Sequence, residues 1–141
     1  MPRSIRFTER FRYEIADGGN PPPLVRAEIS TDGSHQIAVP LIVDSGAAGL
    51  LLPSEIAPYL GIDLSAAEEV PVGGVAGAGT GLKSPVQLHV RIGRLACRCN
   101  AVFIKSVMLP DCGLLGREDW FHNFEVAFRH KLREILMVSA S

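Results

Sequence analysis

The chain has 141 residues, of which 47% are hydrophobic and 21% are charged, and its formal net charge is -1. This length fits one globular domain with a substantial core, and a charge so close to zero gives no basis for binding nucleic acid or an anionic membrane. The N-terminus carries charges where a signal peptide has its apolar core, and no segment is apolar for long enough to span a bilayer. Three cysteines cannot form a complete set of disulfides within one chain. This count favours a reducing compartment, and we expect a cytoplasmic protein.

The N-terminal part predicts an arm that precedes the principal region. Apolar residues alternate from Ile5 to Ile15 with mostly polar residues between them, which indicates a half-buried strand. The segment 16–23 is rich in glycine and proline and indicates a loop. We therefore divide the chain into an arm and loop over residues 1–23 and a principal region over residues 24–141, which together form one domain.

The next segment predicts a β-hairpin. Apolar residues alternate over 25–29, and an Asp-Gly turn at 31–34 leads into a second strand over 36–43. Residues 50–52 indicate a short buried strand. A brief helix capped by Ser54 follows.

The second half of the chain predicts two more hairpins, one short helix and a final strand. The first hairpin covers 70–86 and has a glycine-rich tip, and the second joins 86–91 to the strand segment 95–104. Acidic and aromatic residues over 117–123 indicate the helix. The apolar segment 132–138 indicates the last strand, which would leave an exposed edge unless a second chain covered it.

The tripeptide Asp44-Ser45-Gly46 carries the clearest chemical signal. It places an acidic residue at the end of an apolar strand, where a carboxylate needs a partner, hydrogen bonds or a proton. Gly46 allows a tight turn, and Ser45 adds a hydroxyl. A carboxyl held in this way suits acid–base chemistry on water. Taken alone, however, the tripeptide is also typical of an ordinary turn after a strand.

Two further motifs decide between these readings. A glycine-rich stretch covers 72–81, and Gly113-Leu114-Leu115-Gly116 repeats the pattern of an apolar strand followed by glycine and a short helix. Asp-Ser-Gly-Ala, a glycine-rich hairpin and Leu-Leu-Gly-Arg, in this order, resemble the retropepsin-like aspartic proteases. The resemblance runs from about Leu24 to the C-terminus.

The resemblance implies an all-β, single-domain fold with one short helix after the Leu-Leu-Gly motif. It also implies an aspartic endopeptidase, in which two carboxyls share one proton across a bound water. Because the chain has a single Asp-Ser-Gly, the second Asp44 would come from the other subunit of a homodimer. The family pattern makes Asp44, Ser45 and Gly46 catalytic, with Ser45 hydrogen-bonded across the dimer axis. No cofactor or metal is implied.

Other positions take roles from the same resemblance. The glycine-rich hairpin would be a flap that closes over bound peptide, although by itself it could be a surface loop. The flap and active-site loop that contact peptide or protein substrate would comprise Ala47, Ala48, Gly73, Gly74, Val75, Ala76 and Gly77. Support beneath the active-site loop would come from Leu114, Leu115, Gly116 and Arg117. Strands within 4–15 and 132–139 are the candidates for holding the dimer together.

One position departs from the retroviral pattern. Residue 48 is Ala where those enzymes usually carry an acid that pairs with the helix arginine, so Arg117 lacks that partner. Glu118 and Asp119 stand next to Arg117 and could compensate. Two alternatives therefore stay open, which are a catalytically silent peptide-binding or dimerisation module and a structural domain that is monomeric in isolation.

The cysteines and histidines show no metal-binding pattern. Cys97 and Cys99 alternate in a predicted strand, so their side chains point to one face. Their spacing matches no common zinc motif. We expect buried or half-buried free thiols.

Overall fold

The computed structural model describes residues 4–14, 21–72, 79–105 and 112–140. Within these ranges the regular secondary structure is mostly β-strand, as predicted. The strands are β1 (Glu9–Arg12), β2 (Leu24–Ser30), β3 (Ile37–Val43), β4 (Leu50–Pro53), β5 (Glu69–Val72), β6 (Gly79–Lys83), β7 (Leu88–Ile92), β8 (Leu95–Cys99), β9 (Ala101–Ile104), β10 (Gly113–Leu115), β11 (Phe124–Arg129) and β12 (Glu134–Ser139). Short 3₁₀ turns cover Ser54–Ile56, Pro58–Leu60 and His130–Leu132, and helix α1 covers Trp120–Asn123.

Nine strands form the main sheet, in the order β5-β6-β9-β4-β10-β3-β2-β7-β8. The predicted hairpin is confirmed: β2 and β3 are antiparallel, with Ala27 opposite Val39. The hairpin of β7 and β8 is confirmed as well, and Gly93 in its turn has a φ of 60°, a conformation that favours glycine. The predicted single strand over 95–104 is wrong, because the chain leaves β8 at Asn100 and continues as β9 between β6 and β4. Most pairs are antiparallel, but β10 is parallel to β3 and β9 is parallel to β4.

Strand β10 is the element that closes the centre of this sheet. It lies between β3 and β4, which are neighbours in sequence, so that Leu114 is opposite both Ile42 and Leu51. Gly113 suits this crowded position, because a methyl carbon added there lies 2.6 Å from the carbonyl oxygen of Leu51. The segment between β3 and β4 must therefore loop over the end of β10.

The core lies on the faces where strand side chains alternate inward. Ile29, Leu41, Leu52 and Leu88 are each fully buried, and Trp120 of α1 is buried with them. Trp120 also packs on Phe124, with ring centroids 4.4 Å apart. Burial of this apolar surface is the main driving force for the fold.

A second sheet joins the two ends of the described chain. Its order is β1-β12-β11, so β12 lies in the middle and is paired on both sides. The expectation that this strand needs a second chain to cover its edge is therefore wrong. The alternation of apolar residues predicted strand β12 but not the strands that pair with it. Strand β1 of the N-terminal arm pairs with one side of β12.

The arm also contacts the main sheet. A carboxylate oxygen of Glu9 lies 2.9 Å from a guanidinium nitrogen of Arg94, which follows β7. The aromatic ring of Phe11 packs against Gly93 in the same turn. The division of the chain at residues 23 and 24 into arm and principal region remains a prediction.

The helical segments agree with the sequence in position but differ in detail. Helix α1 falls within the predicted 117–123, whereas the predicted helix after Ser54 is a pair of 3₁₀ turns. Ser54 does not cap them, because its hydroxyl contacts the carboxylate of Glu55 rather than a backbone N–H group. Among the described residues, no helix has the length and apolar character needed to cross a membrane.

The central position of β12 leads to a stability prediction. Ile135 is fully buried between β1 and β11, whereas Leu132, three residues earlier, is 50% exposed. We expect Ile135→Ala to lower the free energy of unfolding by about 2–5 kcal/mol, because it leaves a cavity. Leu132→Ala should change it by less than about 1 kcal/mol. Urea denaturation at one fixed protein concentration measures both values, and equal losses would contradict the central placement of β12.

Candidate active site

Asp44 lies where β3 ends, at the start of the loop that leads to β4. Its backbone N–H group donates to the carbonyl oxygen of Leu115, at 2.9 Å, so β10 fixes the position of the residue. Its half-buried carboxylate accepts a hydrogen bond from the N–H group of Gly46, at 2.8 Å. This side-chain turn holds one carboxylate oxygen in place.

The residues after β10 hold the same loop from the other side. Three successive N–H groups donate to loop carbonyls: Gly116 to Gly49 at 3.1 Å, Arg117 to Ala47 at 3.0 Å, and Glu118 to Ala48 at 2.7 Å. These bonds satisfy backbone groups that would otherwise need water. The active-site loop, defined as residues 44–49, is therefore attached along its length to the segment 115–118.

Gly116 is required by close packing rather than by its backbone angles. A methyl carbon added to it lies 2.6 Å from the carbonyl oxygen of Ala47 and 2.6 Å from the backbone nitrogen of Gly49. Real Cβ atoms do not approach backbone so closely, so any side chain here must displace the active-site loop.

Arg117 finds a partner in the loop, although Ala48 offers no acid. Its guanidinium donates to the carbonyl oxygen of Ser45, at 3.0 Å. The carboxylate of Asp119 is engaged elsewhere, since it accepts the N–H group of Asn100 at 2.8 Å. The described residues contain no ion pair between Arg117 and either Glu118 or Asp119, the two neighbours expected to compensate for the missing acid. A backbone carbonyl takes that place.

Glu118 and Gly49 are two neighbours of the site that the sequence reasoning did not connect. A carboxylate oxygen of Glu118 lies 3.3 Å from the position of a Cβ added to Gly49. The glycine of Ala47-Ala48-Gly49 was the available signal, because it marks a place where another group approaches the backbone. The acidic side chain therefore covers the end of the active-site loop.

The structure brings part of the predicted site together. Asp44, Ser45, Gly46, Ala47 and Ala48 form one loop, and it rests on Leu114, Leu115, Gly116 and Arg117. The predicted flap residues Gly73, Gly74, Val75, Ala76 and Gly77 lie outside the described residues. The strands that lead to and from them, β5 and β6, are antiparallel, with Val72 opposite Gly79.

The local chemistry is that of one positioned carboxylate. Ser45 and Gly46 are exposed beside it, so the tip of the loop is accessible in the single chain. In the described part of the chain, no three or more His, Cys, Asp or Glu residues are grouped so that they could hold a metal ion. A fixed carboxyl group can take a proton from water or give one to it when a second acidic group nearby shifts its pKa.

Comparison with known proteins assigns the family. The family model described as aspartyl protease matches residues 25–118, about two thirds of the chain. The protein therefore belongs to this aspartyl protease family. Comparison with curated protein sequences found no match.

A solved structure agrees with this assignment. The crystal structure of a retropepsin-like aspartic protease from Rickettsia conorii is similar over 97% of this chain and 98% of that chain, with a TM-score of 0.64 and 20% sequence identity. At this identity the likeness concerns the fold. The predicted retropepsin-like single-domain fold is confirmed.

The packing of Gly116 leads to a second prediction. We expect Gly116→Ala to displace the active-site loop and to lower the free energy of unfolding by about 1–3 kcal/mol, since overpacking forces the backbone to move. Gly33→Ala is the control, because an added methyl there has no neighbour within 4 Å and only the φ of 85° is strained. Amide exchange of residues 44–49 should quicken in Gly116→Ala and stay unchanged in Gly33→Ala. Unchanged exchange in both would contradict the tight contact.

Proposed function

We propose that the protein is an aspartic endopeptidase that works as a homodimer, with Asp44 of each subunit forming the catalytic pair. The observation that carries this proposal is the attachment of the Asp44 loop to β10 within a chain of the aspartyl protease family. The attachment fixes a half-buried carboxylate at an accessible loop tip, which is what a carboxyl that activates water needs.

The need for a second subunit follows from the chemistry. It is established for aspartic proteases that two adjacent carboxyls share one proton, because two like charges so close cannot both ionise. One member then accepts a proton from water while the other donates a proton to the peptide carbonyl. The chain has one Asp-Ser-Gly sequence, so a two-fold axis beside Asp44 supplies the second member.

The surroundings of Asp44 suit such an axis. Ser45 and Gly46 are exposed at the tip of the active-site loop, and Arg117 braces the loop through the Ser45 carbonyl. The Ser45 hydroxyl is then available to the partner loop. In the terminal sheet, β1 and β11 are the outer strands, so they rather than β12 are the proposed contacts between subunits.

The proposed substrate is an extended segment of peptide or protein. Ala47 and Ala48 have small side chains, which leave room for a peptide beside the loop. The hairpin of β5 and β6 would carry the flap formed by 73–77, and a bound peptide would pair with backbone groups as an added strand. We further propose a reducing, cytoplasmic setting, in keeping with the unbridged thiols of Cys97 and Cys99.

Replacement of the carboxyl gives the direct test. We expect Asp44→Asn to lower kcat/KM on a peptide library by at least about 100-fold, because Asn cannot take up or release the shared proton. Asp63→Asn is a matched control, since Asp63 also accepts a backbone N–H group in an exposed turn, at 2.9 Å from Ser65. It should keep wild-type activity. Wild-type turnover by Asp44→Asn would refute the assignment of Asp44.

Mixed subunits test the homodimer. If a threefold excess of Asp44→Asn chains exchanges with wild type, random pairing leaves about a quarter of the activity expected from the wild-type chains alone. The same excess of Asp63→Asn chains should raise the activity, because every dimer then holds two carboxyls. Activity proportional to the wild-type dose in the first mixture would mean that each chain works alone.

A further inference from the structure

Two thiols lie in contact at the end of the main sheet. Cys97 and Cys99 are in β8, the last strand, and their sulfur atoms are 3.7 Å apart. Cys99 is fully buried and Cys97 is half-buried, and both belong to the inward face of the strand. The proposed proteolytic chemistry uses neither residue.

The two thiols differ in the way that a reactive pair requires. The hydrogen bond between the two thiols lowers the pKa of Cys97, whereas the same hydrogen bond together with burial raises the pKa of Cys99. The accessible member of the pair thus forms a thiolate more readily, and the buried member keeps its proton. Because the thiolate is the nucleophile, Cys97 is the sulfur that reacts first with an oxidant.

The pair also connects to the segment that supports the active-site loop. Asn100 directly follows Cys99, and its N–H group donates to the carboxylate of Asp119 at 2.8 Å. Asp119 has a φ of 64°, which is unusual for a residue other than glycine, and it precedes the buried Trp120. The same segment contains Arg117, which binds the loop. A movement of β8 at Cys99 therefore acts on α1 through one hydrogen bond.

We propose that Cys97 and Cys99 form a peroxide-sensitive dithiol, and that closing their disulfide shifts α1 against the sheet. The Cys97 thiolate attacks hydrogen peroxide, takes one oxygen as a sulfenic acid and releases hydroxide, which a proton converts to water. The Cys99 sulfur then attacks the Cys97 sulfur while its thiol proton passes to the sulfenic hydroxyl group, which leaves as a second water. The two thiols lose two electrons to the peroxide, and a dithiol reductant reverses the change.

This disulfide requires β8 to leave its extended geometry. Alternate residues of an extended strand have Cα atoms about 6.6 Å apart, near the upper end of the range that disulfides span, and their Cβ atoms are also farther apart than the roughly 3.8 Å of a disulfide. The sulfurs must approach from 3.7 Å to about 2.05 Å, so β8 has to pucker. An end strand, paired to β7 on one side, can do this more easily than a central one.

Arg98 makes the disulfide easy to locate. Trypsin cleaves after Arg94, Arg98 and Lys105, so it separates the peptide 95–98 from the peptide 99–105. After treatment with hydrogen peroxide, a non-reducing digest should contain these two peptides joined, and dithiothreitol should release them. The intact chain should lose about 2 Da, the mass of two hydrogens. A digest without the joined pair, or with Cys97 or Cys99 joined only to Cys112, would overturn the proposal.

The fluorescence of Trp120 reports a shift of α1, because Trp120 is the only tryptophan and directly follows Asp119. Peroxide should change its emission intensity in the wild type and in Cys112→Ser, with recovery on addition of dithiothreitol. Cys99→Ser should show neither the loss of 2 Da nor the reversible change. A disulfide that forms without altering Trp120 emission would refute the coupling to α1. These measurements need no substrate, so their outcome is independent of whether the chain cleaves peptides.

Discussion

The site depends on the insertion of β10 between β3 and β4. Without it, the segment from Asp44 to Gly49 would be a free surface loop between two consecutive strands. With it, the loop carbonyls of Ala47, Ala48 and Gly49 accept hydrogen bonds from 116–118, and Asp44 is tied to Leu115. The carboxylate therefore stands on backbone that cannot move without breaking several hydrogen bonds at once. Precise placement of a catalytic group requires this kind of support.

Gly116 shows how strongly that constraint acts on sequence. Its place is fixed by contacts of 2.6–2.7 Å between an added methyl and the backbone of the loop, where no side chain can rearrange to make room. Arg117, in contrast, occupies a position where the partner of the side chain can change. Because residue 48 is Ala, it offers Arg117 no carboxylate, yet the guanidinium donates to the Ser45 carbonyl of the same loop. The bracing of the loop is thus retained with a different chemical partner.

The sequence predicted well those features that depend on residues close together in the chain. The alternation in β2 and β3, the Asp-Gly turn and the position of Asp44 at a strand end all follow from spacing of apolar residues and from turn chemistry. The order of the motifs predicted the fold through the family resemblance, and it predicted that Leu114, Leu115 and Gly116 lie beneath the active-site loop. These elements needed no knowledge of distant contacts.

What the sequence did not predict depends on neighbours far along the chain. The placement of β1 beside β12 removed the open edge that a second chain was expected to cover, because strand patterns do not specify which strands pair. The bond from Arg117 to the Ser45 carbonyl was missed since backbone acceptors leave no mark in a sequence. The contact between Cys97 and Cys99 followed from alternation, but its closeness did not.

The pairing of β1 with β12 also affects how the protein is made. On the ribosome, β1 emerges well before its partner strand β12, which is synthesised only after β11. During that interval Phe11 and its neighbours have no strand to pair with, and the contact finally formed spans nearly the whole chain. Contacts of such long range form slowly, and until β12 is made the apolar side chains of this segment are open to aggregation.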